Sequence, residues 1–262
     1  MAMSYYKNKE ENIRHAQSVV RYVEKYYKAE TDDSAARTIH YKHMLQLPVS
    51  KGIHNTEVKL IQNTTVDAIF AVCDGERSVC ALNFASYKNG GGMFLEGSMA
   101  QEESLCHEGN LYNILSEERI RNMFYIPNQD RLNRGLYHSN LLFTPDVLFN
   151  RKGKIVRCNI ITCAAPNRKM AQAYQVVPDK TVREVLEHRI DSVLWVASKQ
   201  EVDVLILGAF GTGVFGNDLK DVSEIFKNLL SEKYSGHFKE VIFAIPDDKS
   251  FQVMKNIISG EV

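Results

Sequence analysis

The chain has 262 residues, 44% of them hydrophobic and 24% charged, which is enough for one large soluble domain with a sizeable core plus a modest accessory segment. Its 32 basic and 32 acidic residues cancel. That excludes a general basic field able to gather nucleic acid or an anionic membrane, so a polyanionic ligand would have to be gripped locally by backbone amides or a few side chains.

Five cysteines, Cys73, Cys80, Cys106, Cys158 and Cys163, include no C-x-x-C pair. The spacing suits neither a disulfide framework nor a zinc site and points to buried thiols in a reducing compartment. No metal and no cofactor are expected. The polar stretch from Met1 to Glu11 has no apolar signal core, and no run approaches the roughly 18 apolar residues of a membrane span. A cytoplasmic protein is expected, with no membrane partner and no direct nucleic-acid binding.

Along the chain, residues 5–29 read as an amphipathic helix, with Ile13, Val19, Val20, Val23 and Tyr27 near helical spacing among Lys and Glu. Residues 30–55 are mixed, and helix and loop are expected there. Residues 1–55 thus form an N-terminal helical accessory segment, and 56–262 a second, larger domain. In that domain short apolar, β-branched runs alternate with helical stretches. Strands are expected at 57–61, 78–84, 155–163, 203–208 and 239–245, and helices at 99–115, 117–124, 180–199, 218–231 and 248–258. The run Val204-Leu205-Ile206-Leu207 is apolar on both faces, as a buried strand requires. The alternation predicts a three-layer α/β domain with a largely parallel sheet, in which ligands gather at the carboxyl ends of the strands.

Two segments place unusual residues there. In the first, an apolar strand ends at Asn83, the loop Asn89-Gly90-Gly91-Gly92 follows, and a helix then begins. Glycines allow positive φ and a close approach of backbone N–H groups to a ligand. Ser98 and Gln101 have capping-box spacing, which makes Ser98 the expected N-cap and puts Glu102 and Glu103 in the first turn. Consecutive helix positions diverge by about 100°, so one acid can orient a substrate hydroxyl while the other does proton chemistry. A helix start lowers a carboxyl pKa, whereas a general acid needs it raised; a bound diphosphate would supply that rise. Taken singly, glycine loops are often plain turns and helix-start glutamates often only complement the dipole.

Gly90-Gly91-Gly92, eight residues and then Gln101-Glu102-Glu103 resemble the GGG…QEE motif of the poly(ADP-ribose) glycohydrolases, and the flanks Leu82-Asn83-Phe84-Ala85-Ser86 and Ser104-Leu105-Cys106 resemble the bacterial type. The resemblance runs from about residue 56 to the end. It implies a macrodomain-like α/β/α fold with a mixed, largely parallel central sheet and an N-terminal helical extension. It further implies that Glu103 protonates the leaving ribose oxygen and then activates water, that Glu102 holds ribose hydroxyls, and that Asn83 contacts the same ribose. Asn89, Gly90, Gly91, Gly92 and Gln101 would line the substrate. Members of the family often carry proline where this chain has Asn89. The implied substrate is poly(ADP-ribose), or ADP-ribosylated protein, cleaved at ribose–ribose O-glycosidic bonds from chain ends; the implied product is ADP-ribose.

The second segment is Gly208 to Gly216, between an apolar strand and a helix. Its free N–H groups suit a diphosphate, and it is similar to the diphosphate loop of macrodomains, which implicates Gly211, Thr212, Gly213, Val214, Phe215 and Gly216. Phe215 would pack on the terminal ribose. The same stretch contains a literal G-x-G-x-x-G at Gly211, Gly213 and Gly216, the fingerprint of a dinucleotide-binding enzyme. Against that rival, Gly208-Ala209-Phe210 separates the fingerprint from its strand, and the first segment is left unexplained. Phe251, just past the last strand, suits either adenine stacking or helix core.

Cys106 reads as a packed thiol, His107 as facing solvent or the helix flank, and His138 as a hydrogen-bonding or surface residue. Trp195 reads as core or as packing against the N-terminal piece. The segment Tyr137-His138-Ser139-Asn140 resembles a family stretch without an evident chemistry. Two further functions stay open: a module that binds terminal ADP-ribose without turnover, and a hydrolase of mono-ADP-ribosyl links.

Overall fold

The computed structural model describes residues 8–42 and 49–260. The chain forms α1 (Lys9–Tyr26), α2 (Lys28–Arg37), β1 (Ile39–Lys42), β2 (Glu57–Ile61), α3 (Thr65–Val72), β3 (Val79–Phe84), α4 (Gln101–His107), α5 (Leu111–Ser116), α6 (Glu118–Ile120) and α7 (Ile126–Gln129). After these come β4 (Asn140–Arg151), β5 (Lys154–Cys163), α8 (Arg168–Gln175), α9 (Asp179–Lys199), β6 (Val204–Leu207), α10 (Leu219–Ser231), β7 (Glu240–Ala244) and α11 (Asp248–Ser259).

Seven strands make one sheet in the order β1-β4-β5-β3-β6-β7-β2. β5, β3, β6, β7 and β2 run parallel, while β4 pairs antiparallel with both β5 and β1. The mixed, largely parallel sheet and its flanking helices are the expected three-layer α/β/α architecture. Period-two alternation divides the strand side chains between two cores. Ala81, Ile160, Val204, Ile206 and Ile242 face the layer containing α3, α4 and α5. Cys80, Leu82, Ile161, Leu205, Leu207, Val241 and Phe243 face α9, α10 and α11.

Several expectations are corrected. The helix expected over 5–29 ends at Tyr26, and its residues 5–7 lie outside the described ones. A four-residue strand, β1, stands where only helix and loop were expected in 30–55. The single helix expected over 99–115 is broken at Gly109, where a Cβ would strike the Leu148 carbonyl of β4. Over 117–124 the expected helix is only one turn of α6 running into a π-helical turn, Arg121–Tyr125. Strand β4 and helices α3 and α8 were not anticipated. The described cysteines are all free, and four of the five are buried. Among the described residues no helix is long and apolar enough to cross a membrane.

Candidate active site

Parallel pairing puts the carboxyl ends of β3, β5 and β6 side by side, so the loops leaving them share one edge of the sheet. The loop after β3 carries the glycines and leads through a 3-10 turn, Phe94–Glu96, to α4. The N-cap of α4 is Ala100, without a side-chain cap, and not Ser98. Ser98 instead closes the 3-10 turn, its N–H donating to the Met93 carbonyl. Gln101 ties α4 to the sheet: its Oε1 accepts from Phe84 N at 2.8 Å, and its Nε2 donates to the Leu82 carbonyl and to Thr65 Oγ1. Both ends of its amide are therefore committed to the fold.

Each glycine has its own reason. A Cβ on Gly90 would press on Leu115 and Tyr125, and one on Gly91 would press on Tyr112. Gly91 and Gly92 also adopt φ of 75° and 61°, a region that side chains strain to enter. A Cβ on Gly92 would collide with Glu103 Oε1 and come within 3.1 Å of Glu102 Oε2. Of the three, Gly92 is the one that faces both carboxylates.

Those carboxylates are buried, at 3% and 6% exposure for Glu102 and Glu103. Glu102 accepts three N–H donors: Ser86 N at 2.7 Å on Oε2, and Gly91 N and Asn83 Nδ2, both at 3.2 Å, on Oε1. Burial pushes its carboxyl up to about 8, opposed by the Ser86, Asn83 and Gly91 hydrogen bonds and helped by the Glu103 charge. Glu103 is held at one oxygen only. Its Oε1 accepts from Met93 N at 2.9 Å, and its buried Oε2 has no hydrogen-bond partner among the described residues. Asn83 is fully buried beside Thr162, with Nδ2 on Glu102 and Oδ1 without a hydrogen-bond partner among the described residues. Asn89 is exposed; its carbonyl accepts from Gly92 N and closes the loop.

The second loop reaches the first directly. The Phe84 and Phe210 rings meet edge to face at 5.7 Å, and a Cβ on Gly208 would sit 3.1 Å from Phe84. Asn217 clamps this loop through the Pro166 and Gly211 carbonyls. Gly211 and Gly216 have φ of 72° and 70°, and Thr212 Oγ1 turns back to the Ala209 carbonyl. The N–H groups of Gly213, Val214 and Phe215 donate to no acceptor among the described residues, and a Cβ at Gly213 would meet nothing. Phe215 is half-buried against Tyr137, with ring centroids 5.9 Å apart. α10 starts only at Leu219, capped by Asp218, so the G-x-G-x-x-G does not open a helix as a dinucleotide fingerprint would. Phe251 lies on α11, half-buried against the α9–α11 core.

Lys169 is a candidate that sequence reasoning missed. Its stem runs over Gly216, its N–H donates to the Phe215 carbonyl, and its ammonium forms no ion pair among the described residues. No local pattern marks it, because α8 was itself unanticipated. His107 is a correction: it is buried against Phe94, with Nδ1 2.9 Å from His15 Nδ1, and does not face solvent. Burial and the His15 charge lower its pKa to about 4. Cys106 is a fully buried thiol whose pKa burial raises. His138 is exposed, and Trp195 meets Tyr41 of β1 edge to face at 6.0 Å.

A family model described as the microbial-type PARG catalytic domain matches residues 4–152, more than half of the chain. The chain belongs to that family. The match takes in the N-terminal segment, which the resemblance read from residue 56 onward did not. The poly(ADP-ribose) glycohydrolase of Thermomonospora curvata is 26% identical, with 97% of this chain and 100% of that one covered at a TM-score of 0.85. The same protein bound to the inhibitor ADP-HPD gives 27% identity over 97% and 100%, with a TM-score of 0.83. The Deinococcus radiodurans poly(ADP-ribose) glycohydrolase in complex with ADP-ribose is 28% identical over 88% and 98%, with a TM-score of 0.79. No curated protein matches the chain.

Proposed function

We propose that this PARG-family chain hydrolyses the ribose–ribose O-glycosidic bonds of poly(ADP-ribose) from chain ends, releasing ADP-ribose, with Glu103 as acid and base. The observation that carries this assignment is the asymmetry of the two carboxylates. Glu102 has three N–H donors on its oxygens, whereas Glu103 Oε2 has no hydrogen-bond partner among the described residues. Of the two acids, Glu103 is the one with an oxygen that the fold leaves uncommitted. Glu103 gives its proton to the leaving ribose oxygen as the glycosidic bond breaks; its carboxylate then takes a proton from the water that attacks the oxocarbenium-like carbon. Glu102 and Asn83 fix the terminal ribose, and the free amides of Gly213, Val214 and Phe215 hold the diphosphate near the helix start of α10. Phe215 packs on the ribose, and Phe251 is the proposed adenine contact.

The deciding measurement is release of ADP-ribose from purified polymer by wild type and by Glu103→Gln, with ADP-ribose affinity measured beside it. The variant should lose on the order of 10²- to 10⁴-fold in kcat and keep its affinity. Tight binding without turnover by wild type would make the protein a reader of terminal ADP-ribose. Release from mono-modified protein but not from polymer would make it a mono-ADP-ribosyl hydrolase. Oligomeric products would replace end cleavage by internal cleavage.

A further inference from the structure

Tyr137 stands in a backbone conformation that tyrosine rarely adopts, φ 62°, and is nonetheless 6% exposed. A buried aromatic held in the left-handed region is strained, and such strain persists only where surrounding contacts over-determine it. Those contacts are present. The Tyr137 ring lies on the ring of Tyr87 at 4.2 Å and 10°, close to parallel. Its carbonyl accepts from Asn133 Nδ2 at 3.1 Å. The Tyr87 hydroxyl in turn accepts from His138 N at 3.2 Å, so the two tyrosines brace each other's loops.

Arg189 of α9, at 1% exposure, ties down the chain beside the pair. Its guanidinium donates to the Ala164 and Leu136 carbonyls; no carboxylate is within ion-pair distance among the described residues. Leu136 immediately precedes Tyr137 in the chain, and Ala164 shares a buried cluster with both rings. A desolvated charge committed to these two carbonyls fixes the chain on either side of the cluster. The Tyr137 and Phe215 rings meet edge to face, with centroids 5.9 Å apart. The column therefore joins the loop after β3, the chain entering β4, the end of β5 and the loop after β6.

We propose that Tyr137, stacked on Tyr87 and flanked by Leu136 and Ala164, whose carbonyls Arg189 holds, is a positioning residue that fixes the ring of Phe215 against the terminal ribose. The proposal rests on the reading of Phe215 given above. Phe215 follows Val214, which is 77% exposed, and is itself half-buried, packed on one side against the α9–α11 core and on the other against the tyrosine pair. The buried stack bounds the ring on that second side. Small errors in ring placement move the scissile bond relative to Glu103, and a displacement of about 1 Å can cost on the order of a hundredfold in rate.

The test is a double-mutant cycle on polymer hydrolysis, measuring kcat, KM and ADP-ribose affinity for wild type, Tyr137→Leu, Phe215→Leu and the pair, with Tyr137→Phe as the conservative control. Tyr137→Leu should lower kcat roughly ten- to hundredfold, Tyr137→Phe should restore it, and the pair should be no slower than Phe215→Leu alone. A structural defect that merely lowers the active fraction would multiply with Phe215→Leu, and that result overturns the proposal. So does an unchanged kcat in Tyr137→Leu, or a full loss in Tyr137→Phe. An unchanged kcat in Phe215→Leu sinks the reading of Phe215 itself, and the proposal with it. Should Tyr137→Leu fail to fold, Tyr87→Leu enters the same cycle.

Discussion

Glu102 and Glu103 are adjacent on α4, yet three donors converge on one and a single donor on the other. The consequence for Glu102 is a stability that depends on pH. Its carboxyl titrates at about 8 in the folded chain, against about 4.3 when unfolded. The folded state therefore keeps a proton that the unfolded state has lost. This contribution is intact below about pH 4.3 and is lost as pH rises towards the folded value, at no more than about 1.4 kcal/mol per unit. Urea unfolding between these limits should show wild type losing stability relative to Glu102→Gln as pH rises. A gap that does not change with pH would mean that the three donors keep Glu102 ionised throughout. Lys169 gives a second test at this scale. Lys169→Met should weaken ADP-ribose binding by up to about fivefold, the size of an exposed ion pair, and should flatten the salt dependence seen by calorimetry; unchanged affinity would remove Lys169 from the site. The motif acids were legible in the sequence because carboxylates beside a glycine loop have few structural uses. Lys169, Tyr87 and Tyr137 were not, because their positions depend on which loops the sheet brings together.

At the level of elements, the N-terminal segment is built into the domain. Asn12 Nδ2 donates to the Gly97 carbonyl at 2.9 Å, His15 meets His107, and Asn110 Nδ2 donates to Thr31 Oγ1. Arg119 reaches the Ala35 carbonyl, and β1 pairs with β4. A chain starting at residue 56 would uncover α4 and leave β4 as a bare edge. It should show no cooperative thermal unfolding by circular dichroism and no hydrolysis; a folded, active product would establish 1–55 as a dispensable accessory. Of the five anticipated strands, β3, β6 and β7 were legible because buried parallel strands are nearly continuously apolar, whereas β2 reads only from Val58, Leu60 and Ile61 between two charges. β4 was not, because Pro145 and Asp146 interrupt it: they occupy a bulge between Thr144 and Val147, with Asp146 at φ 53°. α3 carried a capping box, Thr64 with Asp67, but its apolar, β-branched body does not read as a helix.

For the molecule as a whole, zero net charge fits a site that holds its ligand by loop amides. Both loops could be placed at strand ends from sequence alone. Their adjacency could not, since it follows from β6 pairing with β3 across 124 intervening positions, as in Val79 opposite Val204. Strand order is a global property to which no local window has access.

The same order governs how the chain can be made. β2 stands at the edge of the sheet with β7 as its partner, Glu57 opposite Glu240 and Ile61 opposite Ala244. On a ribosome, β2 emerges long before β7 exists. It must wait as an unpaired strand while everything between is synthesised, the condition that slows folding and invites wrong partners. Its sequence, Glu57-Val58-Lys59-Leu60-Ile61, carries two charges that discourage edge-to-edge association during the wait. Synthesis, not catalysis, is where this strand is most exposed.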